Sequence, residues 1–267
     1  LGERDGKPVL GAPGCARSPK LNGFDWVLDR IVSGIGITRE DIAGMGVGGL
    51  LMEIPTRPQP REPAPAVAAG KVAAVVLAAG RSSRMGGPNK LMALFDGKPL
   101  VRRTVERALA SKARIVIVVT GHQGERVRAA LDGLPVTFAD NPAFAEGLST
   151  SLKAGIGAVP ASAAGALVVL GDMPGVSTAD LDQLIETFHK VGDRAVVRAA
   201  HEGKRGNPVL LPKSLFDAVV HLEGDTGARH LIENGGVEVV DIEIGAGAAI
   251  DVDTREALET AGGVLQD

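Results

Sequence analysis

Val72-Ala73-Ala74-Val75-Val76-Leu77-Ala78-Ala79-Gly80-Arg81-Ser82-Ser83-Arg84-Met85-Gly86-Gly87-Pro88-Asn89-Lys90 is the stretch that decides the fold. Its first part, Val72–Ala78, is a short, continuous apolar run, the pattern of a parallel strand covered on both faces. The run ends in small residues, which let a backbone approach a ligand closely, and successive amide N–H groups in such a turn form an anion-binding concavity. Arg81, Arg84 and Lys90 place positive charge around that turn. The G-x-x-x-x-G-K-[ST] spacing of a Walker A loop is absent. A solvated basic loop is the alternative, but α/β sheets bind ligands beyond the carboxyl ends of their strands, and these cations lie at such an end.

Downstream, helical and extended patterns alternate. Helices are predicted around 99–110, 124–131, 149–158, 178–189, 213–221 and 226–234, with a short one from Thr254. Strands are predicted at 114–119, 136–139, 166–170, 195–199, 208–210 and 237–241. This order predicts an α/β fold with a doubly wound, mostly parallel or mixed Rossmann-like sheet.

Upstream, Ile54–Gly70 holds five prolines, which exclude a helix or central strand and read as an extended linker. The expected division is residues 1–62, ending in the start of this Pro-rich segment, then linker 63–70, then a domain over 71–267. The first part has glycine and proline clusters, a plausible helix at 24–33 and a shorter one at 39–43, too little for a core of its own. Gly44-Met45-Gly46-Val47-Gly48-Gly49 has the G-x-G-x-x-G spacing of a dinucleotide loop. No strand precedes it, prolines follow, and no acidic residue stands about 20 positions on, so it reads as a turn.

Composition narrows the function classes. The 267 residues carry 29 Lys and Arg against 32 Asp and Glu, a formal charge of −3, which argues against nonspecific nucleic-acid binding. Aromatics are 3% and Tyr is absent, so a stacking platform for single strands is not expected. Cys15 is the single cysteine, which excludes an intramolecular disulfide and a Cys-rich metal site, and the five histidines show no metal-ligand spacing. No apolar run approaches the ~20 residues that span a bilayer. The expected setting is cytoplasmic, without membrane or nucleic-acid partners.

The stretch Leu77-Ala78-Ala79-Gly80-Arg81-Ser82-Ser83-Arg84-Met85-Gly86-Gly87-Pro88-Asn89-Lys90-Leu91 resembles the nucleotide-binding signature of the molybdenum cofactor nucleotidyltransferases, the MobA-like NTP transferase family. The likeness continues through Lys98-Pro99-Leu100, Val119-Thr120-Gly121-His122, Asp140-Asn141-Pro142 and Glu146–Leu152. It runs on through Leu170-Gly171-Asp172-Met173-Pro174, Gly206-Asn207-Pro208-Val209, Gly224–Arg229 and Asp251-Val252-Asp253-Thr254. It covers nearly all of 71–267 and implies a sheet of the nucleotide-diphospho-sugar transferase type. The Ala-Ala-Gly form resembles the cytidylyl branch, whereas the guanylyl branch typically carries Ala-Gly-Gly. Pro13–Lys20 and Ile42–Leu50 resemble the C-terminal end of a molybdopterin-binding domain fused to such transferases, which implies that residues 1–62 are a remnant of it and the chain a fragment.

The resemblance implies transfer of CMP from CTP to the phosphate of molybdopterin, with release of pyrophosphate and help from Mg²⁺. Such chemistry needs an aligned nucleophile, a metal and cations that neutralise developing charge. Backbone groups of Leu77, Ala78, Ala79 and Gly80, with Arg81, would hold the base and triphosphate. Lys90 would bind the α-phosphate and leaving oxygens as a point charge, with Arg84 a second candidate. Asp172 ends an apolar strand and, with Asp253, would hold the metal. As alternatives, Asp172 could be a turn or cap residue before Pro174, and Asp253 or Asp251 could cap the helix near Thr254. Thr120, Asp140, Asn141, Ser149 and Ser151 suit base, ribose or cofactor contacts, although the last four are also ordinary turn or cap types. A methyl at Ala79 is expected to narrow the space beside the base and to favour CTP over GTP. Other readings are a guanylyltransferase, a transferase with another phosphorylated acceptor, a nicotinamide-dependent reductase, or a binder that hands the cofactor to a molybdoenzyme client. Intact Lys90 and Asp172 favour chemistry over bare binding.

Overall fold

The fold is that of a computed structural model, described for residues 2–4, 7–9, 23–38, 41, 70–82, 85, 89–222, 236–249 and 251–265. The chain divides into two compact units, Leu1–Pro65 and Ala66–Asp267. In the first, strands β1 (Gly2–Arg4) and β2 (Lys7–Val9) pair antiparallel, and helix α1 spans Gly23–Val32. The second helix expected at 39–43, the Gly44–Gly49 motif, Cys15 and the segments resembling a molybdopterin-binding domain lie outside the described residues, Asp41 excepted.

In the second unit, β3 (Lys71–Ala78) leads through a 3₁₀ turn (Lys90–Met92) to a small hairpin, β4 (Leu94–Phe95) and β5 (Lys98–Pro99). Then follow α2 (Leu100–Ala110), β6 (Ile115–Thr120), α3 (Gly124–Ala130), β7 (Thr137–Asp140), α4 (Leu148–Gly157) and β8 (Ala163–Leu170). After them come α5 (Thr178–Lys190), β9 (Val196–His201), β10 (Lys204–Pro212), α6 (Phe216–Val220), β11 (Val239–Glu243) and α7 (Arg255–Thr260). The helix expected at 226–234 lies outside the described residues.

Seven strands form one sheet in the order β11-β9-β10-β8-β3-β6-β7. Strands β8, β3, β6 and β7 run parallel, as do β11 and β9, while β10 is antiparallel to both its neighbours. This is the mixed, doubly wound α/β sheet that the sequence predicts. Strand β3 lies between β8 and β6, so its carboxyl end opens where those of its two neighbours open. The period of two along it sorts its residues by face. Ala74, Val76 and Ala78 pack with Val101 and Val105 of α2 and with Leu181, Leu184 and Phe188 of α5. Ala73, Val75 and Leu77 pack on the other face with Leu152 and Ile156 of α4 and Val219 of α6. With both faces covered, the run has to be apolar throughout, which is why it shows no alternation.

Helix α4 lies directly on the sheet. A Cβ on its Gly155 would stand 2.4 Å from Val75 Cγ1 and 2.9 Å from Val119 Cγ2, so glycine here is what admits the close approach. Helix α5 starts at a capping box, in which the Ser177 hydroxyl accepts from Asp180 N and the Asp180 carboxylate accepts from Ser177 N. A third, smaller cluster joins Met85, Ala93, Phe95 and Leu100 to Val252 and Leu258 near the C-terminus. It anchors the segment that carries Asp253.

The sheet and its covering helices all belong to the second unit, so we propose that this unit folds independently. A polypeptide starting at Ala66 is expected to give the circular dichroism of an α/β protein and a cooperative thermal transition. An insoluble or unfolded product, with the full chain folded, would contradict the proposal.

Candidate active site

The carboxyl ends of β3 and β8 converge on a cleft of about 390 Å³. Backbone bonds set its floor. Gly171 N donates to Leu77 O (3.0 Å), which locks the residue before Asp172 to the end of β3. A Cβ on Gly171 would stand 2.9 Å from that same oxygen, so the turn after β8 needs glycine to lie this close. His122 N donates to Ala79 O (3.2 Å), tying the end of β6 to the same loop.

The backbone around Lys90 is fixed first by its neighbours. Asn89 is buried, and its Oδ1 accepts from Leu91 N (3.1 Å), capping the 3₁₀ turn. The Ser82 hydroxyl accepts from Lys90 N (3.3 Å) and donates to Asn89 Oδ1 (3.4 Å), which fastens the turn to the glycine loop. Asn89 Nδ2 donates to Gln123 Oε1 (3.2 Å). With Leu91 and Met92 in the core, the Lys90 backbone is held while its side chain reaches into the cleft.

There the Lys90 ammonium pairs with the carboxylates of Asp172 and, at 2.5 Å, Asp253. Side-chain exposures of 12% for Lys90, 17% for Asp172 and 29% for Asp253 put this triad at the bottom of the cleft, shielded but open to a ligand. Burial disfavours the charged amine, but Asp172 and then Asp253 outweigh it and hold the Lys90 pKa above the ordinary lysine value. Lys90 is therefore charged at neutral pH. Asp172 Oδ1 is buried and has no hydrogen-bond partner. Partial burial, and then the nearby charges of Asp253 and Asp172, push the Asp251 carboxyl up although its surface remains exposed.

Neither aspartate caps a helix. Thr254 caps α7 through its hydroxyl, accepting from Ala257 N at 3.1 Å, and Ser177 caps α5. Asp253 is instead brought to Asp172 by Val252 N donating to Asp172 O (3.2 Å), with buried Val252 beneath. The loop after Asp172 is clamped by Arg107, whose guanidinium donates to Pro174 O (2.7 Å) and Val176 O (2.6 Å). Nothing local in the sequence sets Arg107 apart from the other arginines of α2.

Of the residues singled out in the sequence, Leu77, Ala79, Gly80, Arg81, Lys90, Asp172 and Asp253 line the cleft. Ala78 packs into the opposite core, and Arg84 lies outside the described residues. Ala79 is 2% exposed and belongs to the apolar cluster against which Phe144 packs, so its methyl is part of the cleft wall rather than standing in open space. Thr120, Asp140, Asn141 and Ser149 do not line the cleft. Thr120 Oγ1 donates to Asp140 Oδ1 (2.6 Å), which also receives Arg128, and these bonds hold the Asp140 carboxyl below the usual range. Buried Asn141 donates to Thr150 Oγ1 (2.9 Å) and Ser151 Oγ (3.0 Å) and accepts from Ala143 N (3.1 Å), so it braces the start of α4. Ser149 is buried in that first turn. Ser151 does line the cleft, and the cleft also takes in Ser82, Phe144 and Gly147, which the sequence reading left out of its site residues. Gly147, at φ 118°, adopts a backbone that L side chains rarely reach.

A glycine loop at a strand end, a pinned lysine and two converging carboxylates suit a polyanionic ligand with a divalent cation. The model of the MobA-like NTP transferase domain matches residues 74–239. The chain belongs to this family. It is therefore a nucleotidyltransferase, an enzyme of nucleoside triphosphates. It is 30% identical to the molybdenum cofactor cytidylyltransferase of Escherichia coli K12 over 192 residues, 70% of this chain and 93% of that one. It is 31% identical to the probable molybdenum cofactor guanylyltransferase of Natronomonas pharaonis over 199 residues, 72% of this chain and 97% of that one. A solved structure of a Mycobacterium tuberculosis H37Rv protein in complex with manganese superposes with a TM-score of 0.60 at 25% identity, covering 72% of this chain and 97% of that one.

Among the described residues no group of three or more His, Cys, Asp or Glu side chains is arranged to hold a metal. Two carboxylates do converge, and the partnerless Asp172 Oδ1 offers an oxygen that protein groups leave unused. That set fits Mg²⁺, which keeps several waters and takes one or two carboxylates with substrate phosphates. No helix among the described residues is long and apolar enough to cross a membrane.

Proposed function

We propose that the chain transfers CMP from CTP to the terminal phosphate of molybdopterin, releasing pyrophosphate. The observation that carries the reading is Lys90 standing between Asp172 and Asp253 at the foot of the glycine loop. In the reaction a phosphate oxygen of the acceptor forms a bond to the α-phosphorus of CTP as the bond from that phosphorus to the β-phosphate oxygen breaks. The acceptor phosphate is already ionised, so no general base is needed. The amides of Leu77–Gly80 and the Arg81 side chain would hold the nucleotide, and Lys90 would sit against the α-phosphate and the leaving oxygens. A divalent cation held by Asp172 and Asp253 would neutralise charge on the triphosphate. We further propose that the domain serves a molybdoenzyme client through the cofactor it makes.

The choice of CTP over GTP rests on Ala79. Its methyl lies in the apolar cluster against which Phe144 packs at the cleft wall, and would narrow the space for a double-ring base. A steric difference of this size is worth about 1–3 kcal/mol. CTP is therefore expected to exceed GTP by roughly tenfold or more in kcat/KM, with Ala79→Gly narrowing the gap. Equal use of the two nucleotides by the unaltered chain would refute the cytidylyl assignment and leave nucleotidyl transfer standing. GTP preference would favour the guanylyl reading.

A further inference from the structure

Lys90 has two jobs that one ammonium cannot do at once. As a phosphate ligand it must face the triphosphate, yet in the free protein it is bound to both carboxylates proposed to hold the cation. We propose that Lys90 is a built-in placeholder cation. It occupies the carboxylate pair of the empty enzyme, keeps a bare divalent ion out, and yields the site when a triphosphate draws its ammonium away. The inference rests on the reading of Asp172 and Asp253 as cation ligands.

Three features carry it. First, the two carboxylates are largely shielded, and two shielded negative charges side by side are costly without a cation. Some positive charge has to remain there in every state. Second, the Lys90 backbone is anchored independently of its ammonium, through Ser82 Oγ and the Asn89-capped turn. A four-carbon stem with a compact head can swing between partners while that anchor stays put, which a planar guanidinium could not do as readily. Third, the ammonium fills the site imperfectly. It pairs with Asp172 Oδ2 and leaves Asp172 Oδ1 buried without a partner. A buried acceptor left unsatisfied weakens the resting arrangement, so displacement does not forfeit a fully satisfied pair.

The consequence is coupling. Lysine and metal compete for the same oxygens, and the triphosphate relieves the competition by giving Lys90 another partner. Metal and nucleotide then assist each other's binding, by reciprocity of linked equilibria.

The test is Mn²⁺ binding to the full chain without nucleotide, read from the paramagnetic signal of free Mn²⁺. Lys90→Gln is expected to tighten Kd at least about tenfold, within the ordinary range of coupling between sites. Adding Asp172→Asn to that variant should abolish the gain. Arg81→Gln removes another cation lining the same cleft without touching the carboxylates, and should change Kd less than about threefold, as a screened charge in an open cleft does. No tightening in Lys90→Gln, or an equal shift in Arg81→Gln, overturns the proposal. A second measurement needs no variant. Mn²⁺ alone should raise the acylation of Lys90 in the unaltered chain relative to exposed Lys98, because a displaced amine is an accessible one. Unchanged or reduced Lys90 labelling at saturating Mn²⁺ overturns it as well. If the unaltered chain binds no Mn²⁺ even with CTP present, the reading of the two carboxylates is what fails, and the placeholder falls with it. Mn²⁺ binding with CTP but no gain in Lys90→Gln sinks the placeholder alone.

Discussion

Lys90→Ala is expected to lower kcat/KM for CTP by about 10²-fold or more, the loss that follows removal of one preorganised electrostatic contact to a developing charge. The Lys90 amine is charged at neutral pH, its backbone is fixed by Ser82 and Asn89, and it faces a cleft built for a polyanion. Folding should be affected less than turnover. The three side chains keep 12% to 29% exposure, so water can reach Asp172 and Asp253 once the ammonium is gone, and the cost stays below the ~3–5 kcal/mol of breaking a fully buried pair. Thermal melting separates the two effects. Lys90→Arg is not expected to restore activity, since a planar fork cannot take the place of a compact point charge in this site. Turnover of Lys90→Ala equal to that of the unaltered chain would remove Lys90 from the chemistry.

Asp172→Asn is expected to cost about 10²–10³-fold in kcat/KM, comparable to losing several kcal/mol of charge stabilisation. The change conserves shape and keeps the backbone bonds from Val252 N to Asp172 O and from Gly171 N to Leu77 O, so the fold should survive. What it removes is one of the two negative charges beside Lys90. Raising Mn²⁺ or Mg²⁺ should recover part of the rate, because the defect lies in holding the cation. A loss that metal concentration leaves untouched, with the melting temperature preserved, would point to a purely structural role for Asp172.

Much of the fold was legible because its signals are local. The both-faces-buried run at 72–78, the breaks at glycine and the alternation with amphipathic segments specify β3 and its neighbours, and among the described residues the larger elements follow in the order they imply, with the small β4–β5 hairpin added. Edges were harder. Strand β10 starts at Lys204, ahead of the apolar core at 208–210, because its first residues pair with β9 in a polar stretch that carries no hydrophobic pattern. The cleft was legible in part. Leu77, Ala79, Gly80, Arg81 and Lys90 stand in one continuous segment, and the signal there is composition. Asp253 reaches Lys90 across 163 positions, and nothing in its local sequence separates a cleft carboxylate from a helix cap; the deciding fact, that Thr254 takes the cap, is tertiary. Asn141 and Asp140 show the reverse problem. Both are polar, follow a strand and precede a helix, and the structure uses them as braces for α4 and β6. Arg107 went unseen because its partners are carbonyls of a loop 67 and 69 residues away.

The central claim is nucleotidyl transfer to a phosphate of molybdopterin, and acceptor-dependent pyrophosphate release tests it most directly. The full chain with Mg²⁺ and CTP is expected to release pyrophosphate only when molybdopterin is present, in step with the appearance of CMP on the acceptor, and to do so more slowly with GTP. Folded protein that releases no pyrophosphate from any nucleotide when molybdopterin is supplied, or that releases it at the same rate without molybdopterin, would contradict the account.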